Sequence, residues 1–198
     1  MIKIIKKEPL ENSQYIKPYR LTFEKDGKRG DWEIVETFDS VAVLIYHAEK
    51  DSFVLVKQFR PAVYLKNGDG YTVELCAGLV DKDKSLIQIT KEEILEECGY
   101  DVPLECIEKI TSFYTAVGFA GGQQTLFFAE INDAMKVDGG GGIDEEEIEV
   151  VYLSVNQAQD FIMDERIAKT PGLMFAFMWY LEKLNYFNNK HVIKSKIN

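Results

Sequence analysis

Glu93, Glu96 and Glu97 stand at i, i+3 and i+4 in the run Lys91-Glu-Glu-Ile-Leu-Glu-Glu-Cys-Gly-Tyr100. On an α-helix turning about 100° per residue they share one arc of about 100°. Like charges at that spacing cost about 0.2–0.5 kcal/mol per pair, and a face built only for stability intersperses lysines among them. A solvated acidic face is the ordinary reading of such a cluster. The preceding run, Glu74-Leu-Cys-Ala-Gly78, points elsewhere. A strand ending there brings a backbone carbonyl and several carboxylates to one place, and hard oxygen ligands of that kind suit Mg²⁺ or Mn²⁺.

Other residues offer complementary chemistry. Arg60, at the end of an apolar run, carries a planar cation suited to bidentate phosphate binding. Glu74 either faces a substrate or pairs with an arginine, and its type alone does not separate the two. The acidic run Asp144-Glu-Glu-Glu147 directly follows four glycines, Gly139 to Gly142. A solvated loop is one reading; a glycine hinge beside carboxylates also suits a loop that closes on substrate. His47 and His191 have no triad neighbours and read as structural. Phe175, Phe177 and Trp179 read as helix packing.

The elements that must position these groups follow from pattern. Extended segments are predicted at Tyr15–Glu24 and Asp31–Phe38, with a turn at Asp26-Gly27-Lys28 between them. Strands are expected at Val41–His47, Phe53–Phe59 and Tyr71–Ala77, with a loop at Tyr64–Gly70. A helix is predicted over Leu86–Cys98: Ser85 and Gln88 form a capping box and Gly99 supplies the stop. Ile87, Ile94, Leu95 and Cys98 make its apolar stripe, which leaves Leu86 and Ile89 on the acidic side. Strands follow at Cys106–Tyr114, Gln124–Ile131 and Glu147–Leu153, then helices at Val155–Met163 and Leu173–Leu184. Gly139–Gly142 cannot be strand interior and is expected to be mobile. The pattern predicts an α+β chain, a mixed sheet flanked by helices.

With 198 residues, 46% of them hydrophobic, the chain can bury a sizeable core in one domain with an elaborated terminus. A net charge of −10 without a lysine or arginine stripe disfavours nucleic acid and anionic membranes as partners. A small anionic substrate then needs a local device, and a divalent cation is the obvious one. No apolar run reaches the roughly 20 residues that cross a bilayer, and the first residues lack a secretory apolar region. Cys76, Cys98 and Cys106 form no CxxC pair and read as reduced, buried thiols of a cytoplasmic protein.

From Gly78 to Tyr100 the chain resembles the Nudix box: Gly, five residues, Glu, seven residues, then Arg-Glu-apolar-any-Glu-Glu-any-Gly-apolar. Gly78, Glu93, Ile94, Glu96, Glu97, Gly99 and Tyr100 match, whereas Lys84 stands where Glu is usual and Glu92 where Arg is usual. That arginine normally orients a metal-binding glutamate, so Glu92 questions that support. Lys57-Gln-Phe-Arg-Pro-Ala-Val-Tyr64, Val73–Asp81 and Gln123–Phe128 resemble the UDP-sugar diphosphatase branch (UDP-glucose pyrophosphatases), related to the ADP-ribose diphosphatases. The likeness runs from about Tyr19 to Leu184.

The resemblance implies a Nudix fold, an α/β/α sandwich over residues 41–198, with residues 1–40 as a β extension that serves dimerisation and the partner's substrate pocket. It implies metal ligation by Glu93, Glu96, Glu97 and the Ala77 carbonyl, with Glu97 also catalytic. A catalytic or metal-binding Glu is expected at Glu146, with Asp144 and Glu145 as rivals. Trp32 resembles the position that stacks the base in ADP-ribose relatives; a core or dimer-interface aromatic is the alternative. The expected activity is Mg²⁺-dependent hydrolysis of a UDP-glucose-like nucleotide sugar to nucleoside monophosphate and sugar 1-phosphate, by a cytoplasmic homodimer. ADP-ribose hydrolysis is the nearest alternative, and the two box departures leave room for a non-catalytic nucleotide-sugar sensor.

Overall fold

The structure, a computed structural model, describes residues 2, 4–7, 13, 16–143 and 147–195, with side chains as far as 185. Two strands, β1 (Lys17–Lys25) and β2 (Lys28–Glu36), form an antiparallel hairpin with its own two-stranded sheet. Asp26 and Gly27 join them with φ of 52° and 73°. Two consecutive positive φ values make the type I′ turn that matches strand twist, which is why an Asp-Gly pair sits there. The predicted segment start at Tyr15 lies outside the described residues.

Seven strands form the main sheet: β3 (Ser40–His47), β4 (Ser52–Phe59), β5 (Tyr71–Glu74), β6 (Cys76–Leu79), β7 (Ile107–Tyr114), β8 (Gln123–Ile131) and β9 (Ile148–Ser154). The main path runs β5-β4-β3-β8-β7, with β6 on β3 and β9 on β4. β3 and β8 are parallel and the remaining pairs antiparallel, so the sheet is mixed, as expected.

Helix α2 (Leu86–Cys98) covers one face, while α3 (Ala158–Met163) and α4 (Pro171–Ser195) cover the other. Val41, Val43 and Ile45 point toward α2, and Ala42 and Leu44 toward α4. This period-two alternation with both faces buried explains the nearly unbroken apolar run of β3. The result is the α/β/α layering that the resemblance implies. No helix among the described residues is long and apolar enough to cross a membrane.

Two expectations are corrected. The segment read as a loop at Tyr64–Gly70 contains the last turn of a helix, α1 (Pro61–Asn67), opened by Pro61 and closed by Gly68 at φ 75°. The single strand predicted over Tyr71–Ala77 is two, broken at Leu75. The cause is tertiary. β3 and β4 pair only at Ile45–His47 against Ser52–Val54 and then splay; β5 follows β4 while β6 follows β3. One chain segment wedges both strands apart, and the opening is where the acidic residues gather.

Candidate active site

The splay leaves a cavity of about 450 Å³ lined by Ser40, Gln58, Arg60, Glu74, Ala77–Leu79, Asp81, Lys82, Glu93, Glu96, Glu97, Gln124 and Ile143. All three glutamates of the helix therefore reach it together with Ala77, Arg60 and Glu74. Among the described residues five carboxylates face two cations there, so an anionic ligand enters only with additional positive charge.

Helix α2 forms as read, with the Ser85–Gln88 capping box in place and Gly99 in the left-handed region at φ 70°. Its buried face differs from the predicted stripe. Ile89, Thr90, Ile94, Glu97 and Cys98 are the buried residues. At 100° per residue these span about 180°, with Glu97 near the middle. The acidic side thus turns toward the sheet, and Ile89, out of place on an acidic solvent face, is wholly buried beside it. Leu86 packs against the same cluster.

Glu97 is 5% exposed, and its Oε2 accepts the Ala77 N–H at 3.1 Å. One carboxylate oxygen is thereby fixed against the strand end that was expected to contribute a carbonyl. Below it, burial, then Cys98 and Glu97, push the Cys76 thiol well above its ordinary value, so it stays neutral. Cys76 and Cys98 are buried and Cys106 partly so, all as free thiols.

Gly78 leaves room for Glu93. A Cβ there would lie 2.1 Å from the Glu93 carboxyl carbon, so any larger residue displaces that side chain from the strand edge.

Glu74 and Arg60 settle the question left open by type alone: they pair, with Arg60 Nε and Nη2 donating to Glu74 Oε1 and Oε2 at 2.8 and 2.9 Å. Burial works against the Glu74 charge, but Arg60 and the Thr72 hydroxyl outweigh it and hold the carboxyl below its ordinary value. The guanidinium is thus oriented at the cavity wall by a bidentate fork.

The two departures from the box also meet. Lys84 Nζ donates to Glu92 Oε1, and Lys82 lies 3.6 Å from Glu92 Oε2. Positions expected to carry Glu and Arg carry Lys and Glu, an ion pair of reversed polarity. Lys84, then Lys82, hold Glu92 below its usual range. Lys91 points away, to Asp101 at 2.8 Å.

The glycine run caps the end of the helix. Gly141 N–H donates to the Glu97 carbonyl at 2.9 Å and Gly142 N–H to that of Glu96 at 3.0 Å. A Cβ at Gly140 would sit 2.3 Å from the Glu97 carbonyl oxygen. These N–H groups satisfy helix-end carbonyls that otherwise lack partners. Asp144, Glu145 and Glu146 lie outside the described residues; Ile143, just before them, lines the cavity.

A second cavity of about 370 Å³ shares Glu74, Ala77 and Gln124 with the first, and adds Phe113, Tyr114, Thr115, Thr170 and Pro171. The Gln124 amide donates to Ser40 Oγ at 3.2 Å, which orients it at the junction. Trp32 lies on β2 and lines neither cavity within one chain. It is 56% exposed, and its indole N–H donates to the Gly118 carbonyl at 2.7 Å.

Ligand-type atoms also converge far from here: His47, Glu49 and Asp133 offer theirs within 4.8 Å of one another, a spacing to which the glutamates of α2 are not gathered among the described residues. Lys50 fills that spot, 2.7 Å from Asp133 and 3.1 Å from His47 Nε2.

Comparison with known proteins gives the family. No family model matches the chain. The uridine diphosphate glucose pyrophosphatase NUDT14 of Bos taurus is 36% identical over 85% of this chain and 89% of its own length. A GDP-mannose pyrophosphatase of Cronobacter sakazakii is 39% identical over 87% of this chain and 93% of its own. One from Escherichia coli is 31% identical over 94% and 95%. The chain belongs to the Nudix hydrolases. Nudix pyrophosphatases use divalent metal ions, and the hard oxygens of Glu93, Glu96 and Glu97 are the donor type such ions take.

The sequence reading missed Lys82, Asp81, Gln58 and Gln124 as cavity residues. Lys82 and Asp81 had a usable signal: they sit between the Gly78 strand end and the Ser85 cap, a connection too short to leave the site. Gln58 and Gln124 had none, because strand pairing places them.

Proposed function

We propose that the protein hydrolyses the pyrophosphate bridge of a nucleoside diphosphate sugar, UDP-glucose or a close analogue, to a nucleoside monophosphate and a sugar 1-phosphate, using Mg²⁺. One observation carries the reading: three helix carboxylates, a bidentately held arginine and a strand end line a single cavity in a Nudix chain. The pyrophosphatases named above support the substrate class.

Glu93, Glu96 and Glu97, with the Ala77 carbonyl, would hold the ions, Mn²⁺ serving as a substitute. When bound, they supply charge neutralisation of the pyrophosphate and of the attacked phosphorus. Glu97 is catalytic through its place at the reacting centre, and the Ala77 N–H keeps its carboxylate aimed. Arg60, fixed by Glu74, binds a phosphate oxygen and orients the bridge. Glu146 takes the role of base or further ligand, with Asp144 and Glu145 as rivals. The adjoining cavity receives one uncharged half of the substrate: Phe113 and Pro171 offer apolar surface while Gln124, Thr115 and Thr170 offer polar groups.

The N-terminal β extension fits a homodimer. Tyr19, Leu21, Phe23 and Trp32 are all exposed on a hairpin that makes its own sheet, and a lone hairpin is only marginally stable. A second copy covering it would bring Trp32 to a neighbouring substrate pocket. The site of action is cytoplasmic, in keeping with three unpaired cysteines.

A panel of UDP-glucose, GDP-mannose, ADP-ribose and dinucleoside polyphosphates, with both products identified, tests the reading. Release of UMP and glucose 1-phosphate with Mg²⁺ is expected; no monophosphate from any of them ends it. A guanosine diphosphate sugar is the second reading, favoured by the relative at 39% identity.

A further inference from the structure

Arg60 and Lys82 are the cations lining the glutamate cavity among the described residues. Arg60 is engaged by both oxygens of Glu74. Lys82 is held differently. It belongs to the connection between β6 and α2, and its ammonium lies 3.6 Å from Glu92. That is longer than the roughly 2.7–2.9 Å of a well-formed charge-assisted hydrogen bond. Lys84 makes the closer bond, to the other oxygen of the same carboxylate. Two lysines therefore serve one glutamate, and Glu92 keeps a counter-charge when Lys82 moves away.

Lys82 also feels the cavity directly. Partial burial opposes its charge, but the carboxylates of Glu96, Glu93 and Glu92 together keep the ammonium more firmly protonated than usual. The side chain is 37% exposed, so its four-carbon stem has room to swing. Divalent ions held by Glu93 and Glu96 would offset those two charges and leave Glu92 and the phosphate oxygens of a ligand as the anions competing for this ammonium.

We propose that Lys82 is a pyrophosphate-binding residue, resting on Glu92 and turning to the phosphate oxygens of the substrate, while Lys84 holds Glu92 in its place. The inference rests on the reading of this cavity as the pyrophosphate site. It also gives the two box departures a purpose: the reversed Lys84–Glu92 pair keeps the loop tied to the helix and frees a second lysine for the ligand.

Titration calorimetry with methylenediphosphonate in Mg²⁺ tests this without a cleavable bond. Lys82→Met should weaken binding about tenfold, and Lys82→Arg should restore it to within about threefold. With a nucleotide-sugar substrate, Lys82→Met should raise KM with little change in kcat. Glu92→Gln should leave diphosphonate affinity within about threefold of the parent, because it removes the resting partner and not the ligand-binding charge. Unchanged affinity in Lys82→Met, or equal weakening in Lys82→Arg or in Glu92→Gln, overturns the assignment and leaves Lys82 a strut of the loop. If no nucleotide sugar is turned over but the diphosphonate results hold, the assignment stands apart from the substrate reading. A parent protein that binds no diphosphonate removes both.

Discussion

The two ends of strand β3 carry clusters built of the same materials, and only one of them makes a reaction site. At the His47 end, Glu49 and Asp133 converge with a buried imidazole, and Lys50 occupies the middle, bonded to Asp133 and His47. At the Ser40 end, five carboxylates among the described residues face Arg60 and Lys82 around about 450 Å³ of open space. The first cluster is closed on its own ammonium. The second is short of positive charge and has room for it. Proximity of ligand-type atoms therefore says less about function than whether their charge is already met from within.

That contrast can be broken most directly at Glu97. Glu97→Gln should lower kcat by about 10²–10³-fold while thermal melting and circular dichroism stay near those of the parent; near-full turnover would show that charge at this position is not what the reaction uses. A smaller loss is expected for Gly78→Ala. The new Cβ would push on Glu93, and a displacement near 1 Å costs about 10²-fold in rate, read as kcat at saturating Mg²⁺.

Arg60→Met sharpens the comparison through pH. In the parent, Glu74 titrates below its ordinary 4.5 because Arg60 and Thr72 overcome burial. The unfolded chain then binds more protons just below pH 4.5, so stability falls as pH drops through that window. Without Arg60, burial dominates and the folded value rises above 4.5. The sign then reverses, and stability falls as pH rises from 4.5 toward the new value. Melting temperatures between about pH 3 and 6 read the two slopes, and parallel curves would refute the role given to the pair.

The smallest effect belongs to the closed end. Lys50→Met should leave turnover within about twofold and lower the melting temperature slightly, as expected for a partly exposed ion pair. A large loss of activity would mean that the His47 cluster is coupled to the reaction.

What could be read beforehand follows the same division between local and long-range causes. The capping box at Ser85 and Gln88, the stop at Gly99 and the Asp26-Gly27 turn act within a few residues, and each was legible. So were the alternating strands and the Nudix spacing of Gly78, Glu93, Glu96 and Glu97. The break at Leu75 was not, because it exists only where β3 and β4 part and each takes half of one segment. The helix Pro61–Asn67 has seven residues, too few for periodicity to declare itself. The apolar stripe on α2 was misjudged for a physical reason: Glu97 sits at the centre of the buried face, and patterning by hydrophobicity assigns a carboxylate outward. Lys84 and Glu92 looked like defects singly and became a pair only when the loop folded back on the helix.

The Gly141 carbonyl accepts the Ile148 N–H at 3.2 Å while its own N–H is spent on the Glu97 carbonyl. A single residue thus joins the helix terminus to the root of β9, and neither attachment depends on a side chain. The end of the glutamate helix is therefore pinned to the sheet by main chain alone, which fixes the height at which its last turn presents Glu96 and Glu97.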